Sequence, residues 1–302
     1  MSKLIVRIAE GLGNQLFMYA NSFALSKKIK YDLFIDDESA YFKTKDIRNY
    51  QLNNFNISTN LCDQKYKFNT YLKDINRKLL IKSELFRKKK KFIIEKKNNH
   101  KQTLYNEHDD SCLSDLVFIE GHYESEKYFI DYKSHFKSQF SLNNEYLYKN
   151  NKYFNLINGK KNIVSICVRQ HRFSDRVINK FNQNEKIDSE NFTKKTIEYI
   201  NRAVNFIDTK LDNARYLVWS NDFSNLRNYL PENKFIFIDN KENKSLTDFY
   251  LLLNCKNFIV GPTSFHWWPA WLNNEKNSLI LRPIDINNSN NVDFWPNDWI
   301  PI

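Results

Sequence analysis

Cysteine is scarce in this sequence and is not arranged for metal or redox chemistry. The four cysteines are far apart and include no Cys-x-x-Cys pair: Cys62, Cys112, Cys167 and Cys255. This spacing argues against a zinc ribbon or a dithiol motif and is typical of reduced thiols, although an even number leaves disulfides open. The chain also lacks a run of about 18 apolar residues and a signal-peptide pattern. We therefore expect a cytoplasmic protein without a membrane span.

The composition indicates a folded protein with an anionic partner. The chain has 302 residues, 41% of them hydrophobic and 16% aromatic, which is enough for one large domain or two of about 150 residues. A net charge of +11 favours nucleic acid, an anionic membrane or a phosphorylated substrate as partner. Lys and Asn are abundant, as in the products of AT-rich genomes, and no nucleic-acid motif accompanies the charge. We expect no nucleic-acid partner.

Two series of alternating strands and helices predict an α/β protein with parallel sheets. In the first, strand 3–9, helix 16–29 and strand 32–36 form a βαβ unit. The second predicts strands 163–168, 216–219, 235–238 and 257–260, and helices 190–207, 246–254 and 264–273. The polar segment 149–161 between them resembles a linker. We therefore predict domains at 1–150 and 151–302, with ligands beyond the carboxyl ends of the strands.

The middle of the first domain is very basic. We predict that residues 60–115 are mainly helical, with a run of cations at 87–91 followed by an apolar triplet at 92–94. Such a run usually lies on a solvated helix face. The alternative is that residues 87–97 contact an anionic membrane, such as the inner face of the cytoplasmic membrane.

Only five glycines are present, and two of them, Gly11 and Gly13, follow the first strand. Glycine lets the backbone approach a ligand closely, and Asn14 and Gln15 add amide donors. The loop lacks the third glycine of the dinucleotide fingerprint and the Gly-Lys-Ser/Thr of a phosphate-binding loop. It is either a ligand loop or a structural turn.

Arginines follow the apolar strand 163–168. Arg169, Arg172 and Arg176 lie within eight residues, at the predicted mouth of the second sheet. Arginine binds phosphate through two parallel hydrogen bonds and keeps its charge when desolvated, so this loop favours a phosphate ligand. A surface cluster of salt bridges is the alternative.

Two aspartates near strand ends could accept hydrogen bonds from a base or a ribose. Asp222 ends Trp-Ser-Asn-Asp after a predicted strand, and Asp248 lies at the start of a predicted helix. Both could instead be helix N-caps, because Ser, Asn and Asp are the preferred capping residues.

Half of the six tryptophans fall within 267–271, on a helix predicted to begin after Gly261-Pro262. Thr263 and Ser264 stand where that helix starts. Hydroxyls and free backbone N–H groups at a helix N-terminus bind anions such as phosphate. Alternatively, these hydroxyls only cap the helix and the tryptophans only pack.

Five segments resemble, in order, the motifs of bacterial glycosyltransferase family 11, the α-1,2-fucosyltransferases. They are GLGNQLFMYA (11–20), IRNYQLNNFNI (47–57), GHYESEKYF (121–129), WSND (219–222) and DFYLLLNCKNFIVGPTSFHWWPAWLN (248–273). The last is the most specific, with His266 in place of a serine of the family pattern. The resemblance implies a GT-B-like fold, with two Rossmann-like domains facing a central cleft.

The resemblance also implies the reaction. L-Fucose would pass from GDP-fucose, with inversion and without metal or cofactor, to O2 of a galactose-type acceptor. That acceptor would be a glycan or a lipid-linked oligosaccharide of an O-antigen, a capsule or another cell-surface glycan. The sequence contains no Asp-x-Asp, the metal motif of the other common glycosyltransferase fold. The diphosphate would then be stabilised by fixed cations and helix dipoles.

Residue roles follow from the matched motifs. Arg169 would hold the β-phosphate, together with Ser264 and the adjacent Thr263 and Phe265. Asp222 and Asp248 would face the guanosine. The opposite wall would be formed by Gly13, Asn14 and Gln15.

The arginine motif departs from the family pattern His-x-Arg-Arg-Gly-Asp. Here Cys167 replaces the histidine, Gln170 replaces the second arginine, and the carboxylate arrives late, at Asp175. Arg172 could restore the lost charge.

An inverting transfer needs an acceptor for the hydroxyl proton. Asp175 and His171 are the first predictions for the catalytic base and Glu10 is a third. Alternatively, the departing phosphate takes the proton. Contacts to the acceptor sugar are predicted in the first domain, from His122, Tyr123, Glu124 and Glu126.

Three other functions remain compatible with the sequence. The chain could transfer fucose in another linkage or use another GDP-sugar. It could bind a GDP-sugar without turnover, because the arginine motif is altered. A nucleic-acid or membrane-binding module built on the basic middle segment is the third.

Overall fold

The computed structural model describes residues 2–43, 48–98, 101–144, 146–149, 151–173, 183–241, 244–273, 275–287 and 291–302. The chain divides into two compact units. Unit 1 comprises Met1–Asn143 and Ser289–Pro296, and unit 2 comprises Asn144–Asn288 and Asn297–Ile302. The first boundary therefore lies at Asn143 and not at residue 150, and a segment near the C-terminus belongs to the first unit.

Unit 1 contains a four-stranded parallel sheet in the order β2-β1-β4-β3. The strands are β1 (Lys3–Arg7), β2 (Asp32–Asp36), β3 (Lys90–Ile94) and β4 (Leu113–Glu120). The helices are α1 (Leu12–Ile29), α2 (Tyr71–Lys82) and α3 (Lys133–Gln139). Arg7, Asp36 and Glu120 end three adjacent strands, so they share the carboxyl edge of this sheet.

Helix α1 begins earlier than the sequence predicted, at Leu12 in place of residue 16. Gly11 is its N-cap residue, in an extended conformation and without a side-chain cap. Residues 13–15 therefore form the first helical turn and not a loop. The start of the helix was hard to predict because nearly every side chain from Leu12 to Ser26 is buried, so the sequence shows no alternation between an apolar and a polar helix face.

The prediction of a helix through the basic run is wrong. Lys90–Ile94 is a strand at the edge of the sheet, and Phe92 pairs with Phe118 of β4. The two rings stack with centroids 5.2 Å apart inside the core of unit 1. Lysines on an edge strand discourage pairing with other chains, which explains a basic composition in a strand.

Unit 2 contains a six-stranded parallel sheet in the order β10-β9-β8-β5-β6-β7. Its strands are β5 (Ile163–Val168), β6 (Arg215–Ser220), β7 (Phe235–Phe237), β8 (Asn257–Ile259), β9 (Ile280–Arg282) and β10 (Ile300–Pro301). Its helices are α4 (Tyr146–Lys149), α5 (Phe154–Ile157), α6 (Gln183–Asp208), α7 (Leu226–Tyr229), α8 (Lys244–Leu253) and α9 (Ser264–Leu272). The strands and helices predicted for this half are confirmed. Strands β9 and β10 and helices α4 and α7 were not predicted, and the expected linker contains α5.

The tryptophans of α9 belong to the core of unit 2. Trp267, Trp268 and Trp271 are at most 1% exposed. The rings of Trp267 and Trp271 stack at 5.5 Å, and Trp299 lies 5.6 Å from Trp267. The packing interpretation of this cluster is therefore correct. Among the described residues, no helix has the length and hydropathy needed to cross a bilayer.

Candidate functional site

Three loops of unit 2 meet at one edge of its sheet. Strand β5 lies between β8 and β6, so the loops that follow Val168, Ser220 and Ile259 are neighbours in space. The carboxyl edge of a parallel sheet is where ligands of such folds bind. The sequence predicted this convergence correctly. Asp175, one of the predicted bases, lies outside the described residues, as does Arg176.

Gln170 joins the loop after β5 to the loop after β6. Its side-chain amide donates to the carbonyl oxygens of Asp222, at 2.6 Å, and Ser224, at 2.9 Å. Its backbone N–H donates to Asn221 Oδ1 at 2.8 Å, and Asn221 Nδ2 donates back to the Gln170 carbonyl at 3.2 Å. The glutamine that replaces an arginine of the family pattern is thus buried and structural.

His171 and Asp222 form a pair across the same two loops. His171 Nε2 lies 2.8 Å from Asp222 Oδ2, and both side chains are partly exposed. Asp222 Oδ1 accepts from the backbone N–H of Ser224 at 2.8 Å and from its hydroxyl at 2.7 Å. The hydrogen bonds from Ser224, followed by the one from His171, lower the pKa of Asp222 to about 2. A charged Asp222 therefore orients the imidazole of His171.

Two arginines of the loop have different surroundings. Arg169 is half-buried and directly follows β5. The guanidinium of Arg172 lies 5.6 Å from the ring of Phe173 and 5.1 Å from that of Phe192, on α6. These cation–π contacts attach Arg172 to α6. Its predicted role at the phosphate stays a prediction.

The backbone at Gly261 touches the end of β5. A Cβ atom at this position would lie 2.0 Å from the Cys167 carbonyl oxygen, a distance that no side chain can adopt. The glycine therefore lets the loop after β8 pass directly against β5. Cys167, the residue that replaces the family histidine, is itself almost fully buried.

His266 fixes the same loop from within the core. Its Nδ1 accepts the Gly261 N–H at 2.9 Å, and its Nε2 lies 3.1 Å from Ser165 Oγ. With Nδ1 as acceptor, the proton is on Nε2 and is donated to Ser165, whose hydroxyl donates to the Asn257 carbonyl at 3.3 Å. The ring is fully buried, and burial lowers its pKa to about 3. His266 is therefore neutral and serves as a fixed connector.

Thr263 caps helix α9. Its Oγ1 accepts the backbone N–H of His266 at 3.1 Å. Ser264 is the first residue of the helix, and its side chain and that of Phe265 are half-buried. The Phe265 ring packs edge-on against Phe249 at 5.7 Å. The hydroxyl cap proposed from the sequence is confirmed, and the N-terminus of α9 adjoins the loop after β5 through Gly261.

Asp248 lies in the middle of α8, which begins at Lys244, so the expectation that Asp248 starts this helix is wrong. Asn240 Nδ2 donates to Asp248 Oδ1 at 2.6 Å, and Asn240 accepts from Asn151 Nδ2 at 2.8 Å. Burial raises the pKa of Asp248 to about 7, against the hydrogen bond from Asn240. A buried carboxyl group whose pKa lies near 7 is typical of functional sites.

An open groove of about 690 Å³ lies beside these residues. The following residues line it: Asn221, Asp222, Phe223, Ser224, Asn225, Arg227, Asn228, Asp239, Asn240, Lys241 and Lys244. Phe223 packs edge-on against Phe237 at 5.7 Å, and Lys244 lies 5.3 Å from the Phe223 ring. Aromatic faces, amides, carboxylates and cations together suit a nucleoside.

In unit 1, Gln15 is fully buried and holds the start of α1. Its amide nitrogen donates to the carbonyls of Glu10, at 2.9 Å, and Asn49, at 2.8 Å, while its oxygen accepts from Gln51 N–H at 2.9 Å. The amide of this side chain thus holds the loop, and its predicted place on a ligand-binding wall stays a prediction. Glu10 has a left-handed backbone, with φ of 63°. Gly13 is buried and Asn14 half-buried.

A network of charged groups occupies the carboxyl edge of the unit 1 sheet. Arg77 Nη1 donates to both carboxylate oxygens of Glu120, at 2.9 and 2.6 Å, and Arg7 lies 3.8 Å from the same carboxylate. Arg77 also bonds Asp74, and Lys43 bonds Asp74 at 2.8 Å. Burial raises the pKa of Asp36 at this edge. Sequence reasoning missed this network because its members come from distant segments.

Of the predicted acceptor residues, His122 is exposed, Glu126 is half-buried, and Tyr123 and Glu124 are buried. The backbone N–H groups of His122 and Tyr123 donate to the Glu95 carboxylate at 2.8 and 3.0 Å. Glu95 therefore fixes the turn after β4. The described residues contain no group of three or more His, Cys, Asp or Glu side chains that could hold a metal.

Two Rossmann-like units with parallel sheets, and a polar site at the carboxyl edge of the second, define a GT-B-like fold. A mutant of FUT1 from Arabidopsis thaliana, solved in complex with GDP, has the same fold. It aligns with a TM-score of 0.54 and 13% identity over 94% of this chain and 71% of its own. The predicted fold class is therefore confirmed.

The sequence signature described as Glycosyl transferase family 11 matches residues 3–301, and the chain belongs to this family. Two Escherichia coli proteins are similar to it, each at 24% identity. One is the O-antigen biosynthesis glycosyltransferase WbnK, aligned over 91% of this chain and 92% of its own. The other is an alpha-1,2-colitosyltransferase, aligned over 100% and 99%. The family predicted from the motifs is confirmed.

Proposed function

We propose that this glycosyltransferase moves L-fucose from GDP-fucose to O2 of a galactose-type residue in an O-antigen or a related cell-surface glycan. The observation that carries the proposal is the meeting of three loops at one sheet edge: Arg169, the His171–Asp222 pair and the N-terminus of α9. The similarity to an O-antigen glycosyltransferase supports the class of acceptor.

The donor would bind along this edge. Arg169 and the first N–H groups of α9, at Ser264 and Phe265, supply positive charge for the diphosphate. The groove lined by Phe223 and Asn240 would take the guanosine. Asp248 is buried and already bonded to Asn240, so its effect on the base passes through the Asn240 amide.

The transfer is a substitution at the anomeric carbon with inversion. The acceptor oxygen forms a bond to C1 while the bond from C1 to the β-phosphate oxygen breaks, and the electron pair leaves with GDP. Arg169 and the α9 N-terminus stabilise the charge that develops on that phosphate, with no metal or cofactor in this proposal. His171 takes the acceptor proton: its Nε2 is turned toward Asp222, so Nδ1 holds the lone pair.

Colitose is a second candidate for the transferred sugar, because one similar protein is an alpha-1,2-colitosyltransferase aligned over the full chain. A GDP-sugar-binding protein without turnover is a third candidate, because Gln170 and Cys167 replace family residues and serve structural roles here.

A donor and acceptor panel tests the proposal. Purified protein receives GDP-fucose, the corresponding colitose donor or GDP-mannose, each with a β-galactoside acceptor and with the matched 2-deoxygalactoside. We expect fucose transfer to the galactoside and none to the 2-deoxy analogue, because only O2 is the nucleophile. Transfer from the colitose donor alone would show that the transferred sugar is colitose and not fucose. GDP binding without any transfer would identify a binding protein, and no GDP binding would refute the site.

A further inference from the structure

Helix α2 presents apolar side chains to solvent and charged side chains to the interior of its unit, which reverses the usual arrangement. Leu72, Ile75 and Leu79 are 81%, 54% and 59% exposed. Asp74 and Arg77, on the opposite side, are buried. A surface helix normally turns its apolar stripe toward the core. The outward stripe therefore lacks a partner among the described residues of this chain.

The rotation of α2 is fixed by specific contacts. Arg77 is held by Glu120 of β4 and by Asp74, and Lys43 bonds Asp74 at 2.8 Å. Leu80 and Ile81 pack against the core of unit 1. Thr70 caps the helix by accepting the N–H of Lys73 at 3.3 Å. Because the inner side is committed to these contacts, the outer side cannot turn inward without breaking them.

The exposed apolar residues form one stripe. At about 100° per residue, Leu72, Ile75 and Leu79 lie within an arc of about 60°. Tyr71 and Phe86 extend the set along the chain: Tyr71 is 70% exposed, although one edge of its ring packs against Phe42 at 5.5 Å, and Phe86 is 89% exposed at the end of the 3₁₀ turn Ser83–Phe86. We call these five residues the α2 stripe. Single exposed apolar side chains are common, but a contiguous group marks an interaction surface.

The chain segment that carries the α2 stripe exposes only positive charge. Every exposed charged side chain in residues 71–91 is a lysine: Lys73, Lys78, Lys82, Lys88, Lys89 and Lys91. The two acidic residues of this segment are withdrawn from solvent. Asp74 is buried, and Glu84 is 15% exposed and accepts the Lys91 N–H at 2.9 Å. An apolar stripe among cations is complementary to an anionic lipid surface.

We propose that helix α2 lies in the headgroup layer of an anionic membrane, with the α2 stripe in contact with the acyl boundary. Lys82 leaves the helix on the side of the stripe and reaches the lipid phosphates, because long lysine side chains bury their stems beside apolar surface. Lys78, whose Nζ lies 3.4 Å from Asp74 Oδ2, belongs to the inner charge network. The contact predicted from the sequence at residues 87–97 thus moves to residues 71–91. This inference goes beyond sugar transfer and does not depend on it.

Co-sedimentation with lipid vesicles tests the proposal without donor or acceptor. The full chain is mixed with vesicles of phosphatidylcholine alone or with added phosphatidylglycerol. The stripe variant carries Leu72→Gln, Ile75→Gln and Leu79→Gln, since glutamine keeps helix propensity. The matched control carries Ile187→Gln, Ile284→Gln and Val292→Gln, which are 48%, 69% and 57% exposed elsewhere. A charge variant carries Lys82→Glu and Lys89→Glu, at two exposed lysines of this segment.

We expect binding to anionic vesicles only, reduced about tenfold or more in the stripe variant and in the charge variant, and unchanged in the control. Unchanged thermal midpoints would show that the variants fold. Equal binding of wild type and stripe variant, equal binding to neutral vesicles, or no binding would overturn the proposal. Light scattering covers the remaining case: a wild-type dimer that the stripe variant dissociates would mean that a second copy covers the stripe.

Discussion

The carbonyl oxygen of Cys167 lies in contact with the backbone of Gly261, at the point where a side chain on Gly261 would begin. This contact joins the end of β5 to the loop that leads into α9. This backbone contact, together with the hydrogen bonds of His266 to Gly261 and Ser165, holds the loop that carries Arg169 beside the N-terminus of α9. A single added methyl group would separate them.

Gly261→Ala is expected to destabilise the protein by about 3 kcal/mol or more, because its Cβ would meet the Cys167 carbonyl and both backbones must shift. Chemical denaturation measures the loss. Gly159→Ala is the matched control: it meets no atom within 4 Å, but its φ is 72°, so it should cost only about 1 kcal/mol. Equal losses in the two variants would contradict the close approach.

Gln170→Leu is expected to weaken GDP binding about tenfold or more. The change removes the two hydrogen bonds that hold the carbonyls of Asp222 and Ser224, so the loop after β6 loosens. Titration calorimetry with GDP reads the affinity. Asn205→Leu, at an exposed position of α6 that does not line the groove, is the control for a change of polarity alone. An unchanged affinity for GDP in the Gln170 variant would show that these two hydrogen bonds do not shape the GDP site.

His266→Asn is expected to alter the acid dependence of folding. The pKa of His266 is about 3 in the folded chain and 6.5 is its ordinary value, so the unfolded chain binds the proton first as pH falls. Stability from this residue is complete above about pH 7 and is lost as pH falls toward 3. Between pH 7.5 and 4 the wild type should lose about 3 kcal/mol more than the variant.

Urea unfolding across that range measures the difference for His266. Parallel losses in the two proteins would mean that the ring titrates normally and is not buried as a neutral connector. His135→Asn gives the comparison for a less buried histidine, whose pKa is lowered mainly by burial.

Asp248→Asn is expected to change the pH dependence of stability in the direction opposite to His266→Asn. The pKa of Asp248 is about 7 when folded and 3.8 is its ordinary value, so the folded chain keeps a proton that the unfolded chain has lost. The wild type therefore loses stability as pH rises from about 4 to 7, by about 3 kcal/mol between pH 5 and 8, and the variant does not. The free energy of unfolding at these two pH values decides the matter. A variant with no relative gain at pH 8 would contradict the buried neutral carboxyl.

The sheet of unit 2 was readable from the sequence because its central strands are short apolar runs bounded by polar residues, as in Ile163–Val168. Strand β3 was not, because lysines on an edge strand resemble a solvated helix face. The start of α1 was missed for a related reason: a helix buried on nearly all sides has no polar face to mark its first turn.

The candidate site was only partly readable. Strand ends gave the positions of Arg169, His171 and Asp222, because loops after adjacent parallel strands must meet. The pairing of His171 with Asp222 joins residues 51 apart in the chain, and that of His266 with Ser165 joins residues 101 apart. No local pattern encodes such contacts. The structural roles of Gln170 and Gln15 were missed because a side-chain amide can hydrogen-bond a ligand or the backbone of a neighbouring loop equally well.

We propose that Arg169 and the α9 N-terminus stabilise a departing GDP without a metal. The decisive measurement is GDP release from GDP-fucose, with a β-galactoside acceptor and EDTA, in wild type, Arg169→Ala and Arg202→Ala. Arg202 is the matched control, an exposed arginine of α6 paired with Asp285. We predict acceptor-dependent release that EDTA leaves intact, a loss of about 100-fold or more in Arg169→Ala, and none in Arg202→Ala. Release that EDTA abolishes, or that survives in Arg169→Ala, would rule out a metal-independent stabilisation of GDP by Arg169.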